Sequence, residues 1–193
     1  MVVCPFPTPA FRRPPLQDLR LDETPPADLL AEVYRLRVRA WAARTEAFPA
    51  NIESWSDTFD PIAKHFVIVA EGRPVAAARV TIHTALGDAP DGELYGAMNP
   101  ADAPPPIAAL SRLVVCPSYA KHGLSRWLDV ERLTHARKSG CFSAVVCTGT
   151  AAQRIDQLQA LGFRCLYRAR AQVGGVLAAT SPPFVMALDL RRR

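Results

Sequence analysis

An α/β fold whose sheet mixes parallel and antiparallel strands is predicted by three features of the sequence. Residues 65–70 and 74–83 are two β-rich runs joined by a Glu-Gly-Arg turn, the pattern of an antiparallel hairpin. A buried strand pattern at 107–115, a helical pattern at 123–138 and a second strand pattern at 143–147 follow in the order of a βαβ crossover, which makes the two strands parallel. A further helix at 151–161 and strands at 163–170 and 184–190 complete the alternation.

Residues 1–26 are rich in prolines (Pro5, Pro7, Pro9, Pro14, Pro15, Pro25, Pro26), which block regular helix and sheet bonding. This segment is expected to be an extended arm, with one domain over 27–193. From Ala27, Leu29, Leu30, Val33, Leu36, Val38 and Trp41 recur at helical spacing behind Asp28, giving an amphipathic helix of about 15 residues. Arg35, Arg37, Arg39 and Arg44 ride on it. Residues 48–60 lack periodicity and predict a loop with a short helical turn. Residues 86–106, with Gly87, Gly92, Gly96 and several prolines, predict a long surface loop of the kind that borders a binding site. Pro117 ends the 107–115 strand. In the helix that begins at Gly123, Leu124, Trp127, Leu128, Val130 and Leu133 form the expected apolar side, and Gly162 caps the helix at 151–161.

Composition narrows the function. At 193 residues, 49% hydrophobic and 21% charged, the chain is sized and balanced for one packed domain. Its 5 cysteines (Cys4, Cys116, Cys141, Cys147, Cys165) are odd in number and lack the spacing of a disulfide framework or a zinc site. Reduced thiols and no structural metal are expected. The N-terminal apolar run is too short and too proline-rich for a signal peptide, and no stretch approaches the roughly 20 apolar residues of a membrane span. These readings predict a soluble cytoplasmic protein. The formal charge of +5 is scattered apart from Arg191, Arg192 and Arg193, which argues for a solvated surface suited to an anionic ligand or an acidic carrier protein, and against nucleic acid.

The chemistry concentrates at 113–128, LVVCPSYAKHGLSRWL. A strand that ends in a short loop opening a helix at Gly123 leaves backbone N–H groups unpaired where the helix dipole also favours negative charge, so the junction suits a phosphate or pyrophosphate. Ala120, Gly123 and Ser125 keep bulk away, and Lys121 and His122 add positive charge. The bland alternative is an ordinary helix start with Lys121 and His122 as solvated loop residues.

Val115, Pro117, Tyr119, Gly123 and Leu128 stand in the register of the pyrophosphate loop of the GNAT superfamily, and Ala160-Leu161-Gly162-Phe163 resembles that family's Leu-Gly-Phe. The likeness spans about residues 65–170, with Ala120 and Ser125 replacing the usual Arg/Gln and last glycine. It implies a mostly antiparallel central sheet flanked by helices, with a splayed acyl-thioester cleft between the 107–115 and 143–147 strands. It further implies pantetheine on the backbone of Leu113 and Val115, and a donor loop of Ala120, Lys121, His122, Gly123, Leu124 and Ser125. The donor is then acyl-CoA or an acyl-carrier-protein thioester, the acceptor a small-molecule amine, and no metal is needed. The position of the family's frequent tyrosine acid is occupied by Leu158.

A narrower resemblance lies upstream. Arg37 and Trp41, Trp55 through Asp60, His65, Arg79 with Thr84, and Ala109-Leu110-Ser111-Arg112 follow the order found in the acyl-homoserine-lactone synthases, with Trp55 and Ala109 in place of two glutamates. It makes Arg37, Trp41, Arg79 and Arg112 candidate acceptor contacts and Asp57 and Asp60 candidate proton-handling groups. The alternative is a set of structural ion pairs tying the first helix to the sheet. His83, at the hairpin mouth, is a better base candidate than His65, which suits a structural role, and Cys147 suits a small buried hydrophobe. The whole admits two functional outcomes, an N-acyltransferase or a degenerate fold of the same type kept for binding or regulation.

Overall fold

A computed structural model of the protein describes residues 18–45, 48–149, 151–170 and 182–191. The first 17 residues of the expected arm, and Arg192 and Arg193 of the basic terminus, lie outside the described residues. The described chain forms β1 (Arg20–Asp22), α1 (Ala27–Ala42), β2 (Lys64–Ala70), β3 (Arg73–His83), β4 (Ile107–Val115), α2 (Leu124–Lys138), β5 (Ser143–Thr148), α3 (Ala152–Ala160), β6 (Arg164–Arg168) and β7 (Phe184–Asp189). The strands make a 7-stranded sheet in the order β1-β2-β3-β4-β5-β7-β6. Only β4 and β5 run parallel.

The β2–β3 hairpin turns through Glu71 (φ 50°) and Gly72 (φ 75°), two consecutive left-handed residues whose twist matches that of the flanking strands. At the outer edge the end of the proline-rich segment adds a strand: Arg20–Asp22 pairs antiparallel with Val67–Val69.

Alternation along the strands divides the side chains between two layers. Ala76, Ala78 and Val80 of β3 point into one core with Leu124, Leu128 and Leu133 of α2, Leu158 of α3 and Phe163. On the opposite face, Val33, Leu36 and Ala40 of α1 pack on Val67, Val69, Ala77 and Val114. Beside α1 the irregular segments close the same face, with Phe48, Trp55, Leu94, Tyr95 and Met98 covering Ile107, Ala109, Val145 and Val185.

The buried face of α2 differs from the one predicted. Val130 is 41% exposed, while Asp129 and Arg132 are fully buried. Leu124, Leu128, Arg132 and Ala136 lie four apart and drift to one side, so the position between Leu128 and Ala136 faces the sheet although it carries an arginine.

Two features of β4 position the site. Ala77 pairs with Val114 but Arg79 pairs with Ser111, so Arg112 and Leu113 together stand opposite Ala78 in a β-bulge, with Arg112 at φ 52°. The bulge shifts the alternation, which lets Arg112 and Val114 both face α1. In addition, β4 pairs with β5 only over Ile107–Ala109 and Ser143–Val145. Beyond Ala109 and Val145 the two strands part, so the sheet is splayed where the βαβ unit turns.

Candidate active site

The junction between β4 and α2 lies beside this splay. Pro117–Tyr119 forms a single 3-10 turn, and Lys121 (φ 67°) and Gly123 (φ 77°) are both left-handed, bringing the chain sharply into α2. Gly123 is the N-cap residue, no side chain caps the helix, and its first turn carries no acid. The first N–H groups are therefore open to an anion. Lys121, Gly123 and Ala120 are exposed. Ser125 Oγ instead donates to Gln157 Oε1 at 3.2 Å, tying α2 to α3, and Leu124 is 3% exposed with its side chain in the core, so only its backbone N–H belongs to the loop. Leu113 and Val115 lie past the last β5-paired residue, where the edge of β4 is open.

Across the sheet face, five residues predicted from separate stretches of sequence meet in one ion cluster. Arg37 of α1 clasps Asp60 with Nη1–Oδ2 and Nη2–Oδ1 at 2.7 and 2.8 Å, and Nη1 also donates to the Trp55 carbonyl at 3.1 Å. Arg79 of β3 clasps Asp57 at 2.5 and 2.8 Å, lies 2.7 Å from Asp60 Oδ1, and donates through Nε to Ser111 Oγ at 3.0 Å. From the bulge, Arg112 Nε and Nη2 reach Asp57 Oδ2 at 2.9 and 2.8 Å, and its guanidinium stacks 4.5 Å above Trp55. Backbone N–H groups of Asp57 and Phe59 donate to Asp60 and Asp57. Arg37 and Arg79 are buried, whereas the side chains of Arg112 and Asp57 keep 15% and 20% exposure. Three guanidinium groups against two carboxylates leave one net positive charge, and Arg112 is its accessible edge.

In this arrangement Asp57 and Asp60 are the ion-pair partners of Arg37, Arg79 and Arg112. Burial alone raises a carboxyl pKa, but the Arg79 bonds and the Arg112 charge hold Asp57 below the ordinary range, and the Arg37 bonds and the Arg37 and Arg79 charges hold Asp60 far below it. A carboxylate so stabilised is a feeble base. The two acids orient the arginines.

The sign of the pH dependence follows. Because both acids have folded pKa values below their unfolded ones, the unfolded chain binds more protons in acid. The cluster's stabilisation is complete above about pH 4 and is lost as pH falls below it. Thermal melts from neutral to acid pH should show Tm dropping through that window for the native chain, and a flatter drop for Asp57→Asn. Equal slopes for the two proteins would refute this account.

The histidines are held elsewhere. His65 Nε2 lies 3.0 Å from the Asp60 carbonyl oxygen. His83 Nε2 lies 2.7 Å from Thr81 Oγ1 and meets the edge of Phe59, whose ring also faces Arg79. Burial lowers both pKa values, with Asp60 opposing at His65 and Asp88 opposing at His83. The structure does not bring His83 into the ion cluster. Nor does Trp41 reach it: its ring packs edge-on against Trp55 at 6.2 Å and carries Arg44.

One group was missed by sequence reasoning. Tyr95, in the irregular segment after β3, packs in one apolar cluster with Val145 and Cys147 of β5, the latter two residues past the end of β4–β5 pairing. The only sequence signal was the turn triplet Pro90-Asp91-Gly92. Burial pushes the Cys147 thiol up to about 12, so Cys147 is a neutral wall residue and not a thiolate.

The parting strands, the open helix start and the helices on both sheet faces agree with the comparison to known families. The family model described as "Acetyltransferase (GNAT) family" matches residues 30–163. The chain belongs to the GNAT acetyltransferase family. No curated protein matches the sequence. Among solved structures, the ribosomal-protein-S18-alanine N-acetyltransferase from Escherichia coli superposes with a TM-score of 0.60 at 19% identity, over 89% of this chain and 94% of that one. The acyl-homoserine-lactone synthase LasI does so with a TM-score of 0.63 at 16% identity, over 89% and 88%. BjaI, a CoA-dependent acyl-homoserine lactone synthase solved with SAM and isopentyl-CoA, gives 0.58 at 15% identity, over 86% and 77%. At these identities the likeness concerns the fold: a mixed, mostly antiparallel sheet flanked by helices.

Proposed function

We propose that this GNAT-family chain is an N-acyltransferase that moves an acyl group from an acyl thioester, acyl-CoA or acyl carrier protein, to the amine of a small molecule that also carries a carboxylate. The observation that carries the reading is the splay beyond Ala109 and Val145, flanked on one side by the uncapped α2 start and on the other by the accessible edge of Arg112. The donor's phosphates bind the backbone N–H groups that follow Gly123, with Lys121 and His122 nearby, and its pantetheine runs along β4 past Leu113 and Val115. Arg112, fixed by Asp57 and by stacking on Trp55, holds the acceptor carboxylate and leaves the amine directed at the splay. Support for an autoinducer-synthase-like acceptor comes from Arg37, Asp57, Asp60, Arg79, Ser111 and Arg112, the residues of the upstream resemblance, which form one connected cluster.

Ligand-induced stabilisation tests the donor half. Acetyl-CoA, a long-chain acyl-CoA, coenzyme A and S-adenosylmethionine, each tested separately, should distinguish donor from acceptor. A ligand at 100 times its Kd adds about 2.7 kcal/mol. An acyl-CoA is expected to raise Tm in the native chain and not in Gly123→Trp, where a side chain would be both strained at φ 77° and placed at the anion site. A fully buried Leu158 at the position of the family's tyrosine acid favours a second reading, in which the fold binds thioesters without turnover. Binding without release of free thiol in the presence of amino acids, S-adenosylmethionine or simple amines would select it.

A further inference from the structure

The buried charges of α2 are not explained by packing alone. Leu124, Leu128, Arg132 and Ala136 lie four apart on the face of α2 turned to the sheet, and Arg132 is fully buried there beside Asp129. Apolar residues of similar volume would cover the sheet as well, and a buried ion pair is commonly no better for stability than such a replacement. What the arginine adds is a donor group on the underside of the sheet. Its Nη1 donates to the carbonyl oxygens of Arg79 and Ser111 at 3.3 and 3.4 Å.

Those two residues are the first pair beyond the β4 bulge. The Ser111 carbonyl belongs to the planar peptide group that precedes Arg112, so its direction sets the φ of Arg112. At 52° that φ is left-handed, a conformation that a residue other than glycine keeps only where its surroundings impose it. On the α1 face, Asp57 and Trp55 hold the Arg112 guanidinium. On the α2 face, Arg132 holds the peptide that leads into Arg112.

Arg132 is itself fixed. Asp129, one turn back, accepts from its Nη2, and Arg154 of α3 donates to the same carboxylate, through Nη2 at 3.0 Å. One turn nearer the donor loop, the Ser125–Gln157 bond joins the same two helices. A chain of bonds therefore runs from α3 and α2, through Asp129 and Arg132, to the strand segment that presents Arg112 on the opposite face of the sheet.

We infer that Arg132 is a positioning residue for acceptor capture: held by Asp129, it fixes the Ser111–Arg112 peptide at the β4 bulge and so keeps the Arg112 guanidinium in place beside the splay. The inference rests on the acyltransferase reading above, in which Arg112 binds the acceptor carboxylate. Without the two carbonyl bonds the peptide can turn toward the ordinary negative-φ region, which swings the Arg112 side chain away from Asp57 and Trp55. The donor loop at Gly123 belongs to another segment and keeps its geometry.

The test uses the full chain and follows thiol release from acetyl-CoA and a long-chain acyl-CoA, with amino acids and S-adenosylmethionine as acceptors. Asp129→Leu/Arg132→Met removes both buried charges together, so that loss of stability and loss of positioning are read separately. It should raise acceptor KM by about 10-fold, short of the roughly 10²-fold that a small misplacement can cost, with donor KM and the donor-induced rise in Tm at native values. Arg132→Lys keeps a charge beside Asp129 and one donor below the carbonyls, and should show a smaller rise. Added to Arg112→Met, the double substitution should raise acceptor KM no further, because both changes act through one side chain. A native acceptor KM in the double variant overturns the inference and leaves the acyltransferase reading standing. So does an increase that persists undiminished on top of Arg112→Met, or donor and acceptor KM rising together as Tm falls, which is the mark of a purely structural pair. A native chain that releases no thiol with any donor and acceptor overturns the reading and the inference together.

Discussion

Asp129→Ala is expected to lower the unfolding free energy by about 3–5 kcal/mol, the range for removing one partner of a buried ion pair. Asp129 of α2 is fully buried between two arginines: Arg132, one turn on and itself fully buried, and Arg154 of α3, whose Nη2 donates at 3.0 Å. The two charges of opposite sign tolerate burial only together. Without the carboxylate, the Arg132 guanidinium stays in the core with Nε already lacking a partner and Nη1 holding only the carbonyl oxygens of Arg79 and Ser111, at 3.3 and 3.4 Å. Those carbonyls lie at the β4 bulge, so Arg132 supports from beneath the strand segment that presents Arg79 and Arg112 above. Urea unfolding with an unchanged m-value measures the loss. The double substitution Asp129→Leu/Arg132→Met removes both charges and should recover much of it, since apolar replacement of a buried pair is often neutral. The remaining deficit reports the unsupported bulge carbonyls together with Arg154, which loses its Asp129 partner. A single-mutant loss below about 1 kcal/mol would place the pair among weak surface bridges and refute its buried role.

That pair also marks where sequence reasoning stops. Period-2 and period-3.6 patterns locate the hairpin, β4, α2 and β5 because each buries one continuous apolar face, and the positive-φ turn at Glu71-Gly72 is written in residue type. The same rule assigns charged residues to solvent, so it selects Val130 for the core in place of Arg132, although only the position four beyond Leu128 keeps the helix face straight. Strand β1 is invisible for a different reason. Three residues that join a sheet through main-chain bonds need no side-chain pattern, and Pro25 and Pro26 directly after Arg20–Asp22 dominate the local reading. In the candidate site, Arg37, Asp57, Asp60, Arg79 and Arg112 were legible through their order along the chain, not through any periodicity. Tyr95 carried no such mark, since a loop residue acquires its neighbours only when β3, β4 and β5 are already side by side.

Arg112→Met is expected to raise the acceptor KM by about 100-fold, equivalent to about 2.7 kcal/mol and within the 2–5 kcal/mol lost when one partner of a buried charged hydrogen-bond pair is truncated. Donor-induced stabilisation should stay at its native value, because Arg112 lies at the bulge and not at the start of α2. The fold should survive: Asp57 retains both bonds from Arg79, and the φ of 52° is imposed by the bulge and is no worse for methionine than for arginine. Asp57 loses one of the charges that depress it and should titrate closer to the ordinary carboxylate range, narrowing the acid window described above. Arg112→Lys separates charge from shape. Lysine supplies a cation but neither the planar surface that lies 4.5 Å above Trp55 nor two donors in a fixed fork, so it should restore only a small part of the acceptor affinity. If Arg112→Lys instead behaved like the native enzyme, the edge of the cluster would be acting as a point charge. An unchanged acceptor KM in Arg112→Met with a lowered Tm would make Arg112 a structural tie between Trp55 and Asp57, and the carboxylate of the acceptor would have to be held elsewhere.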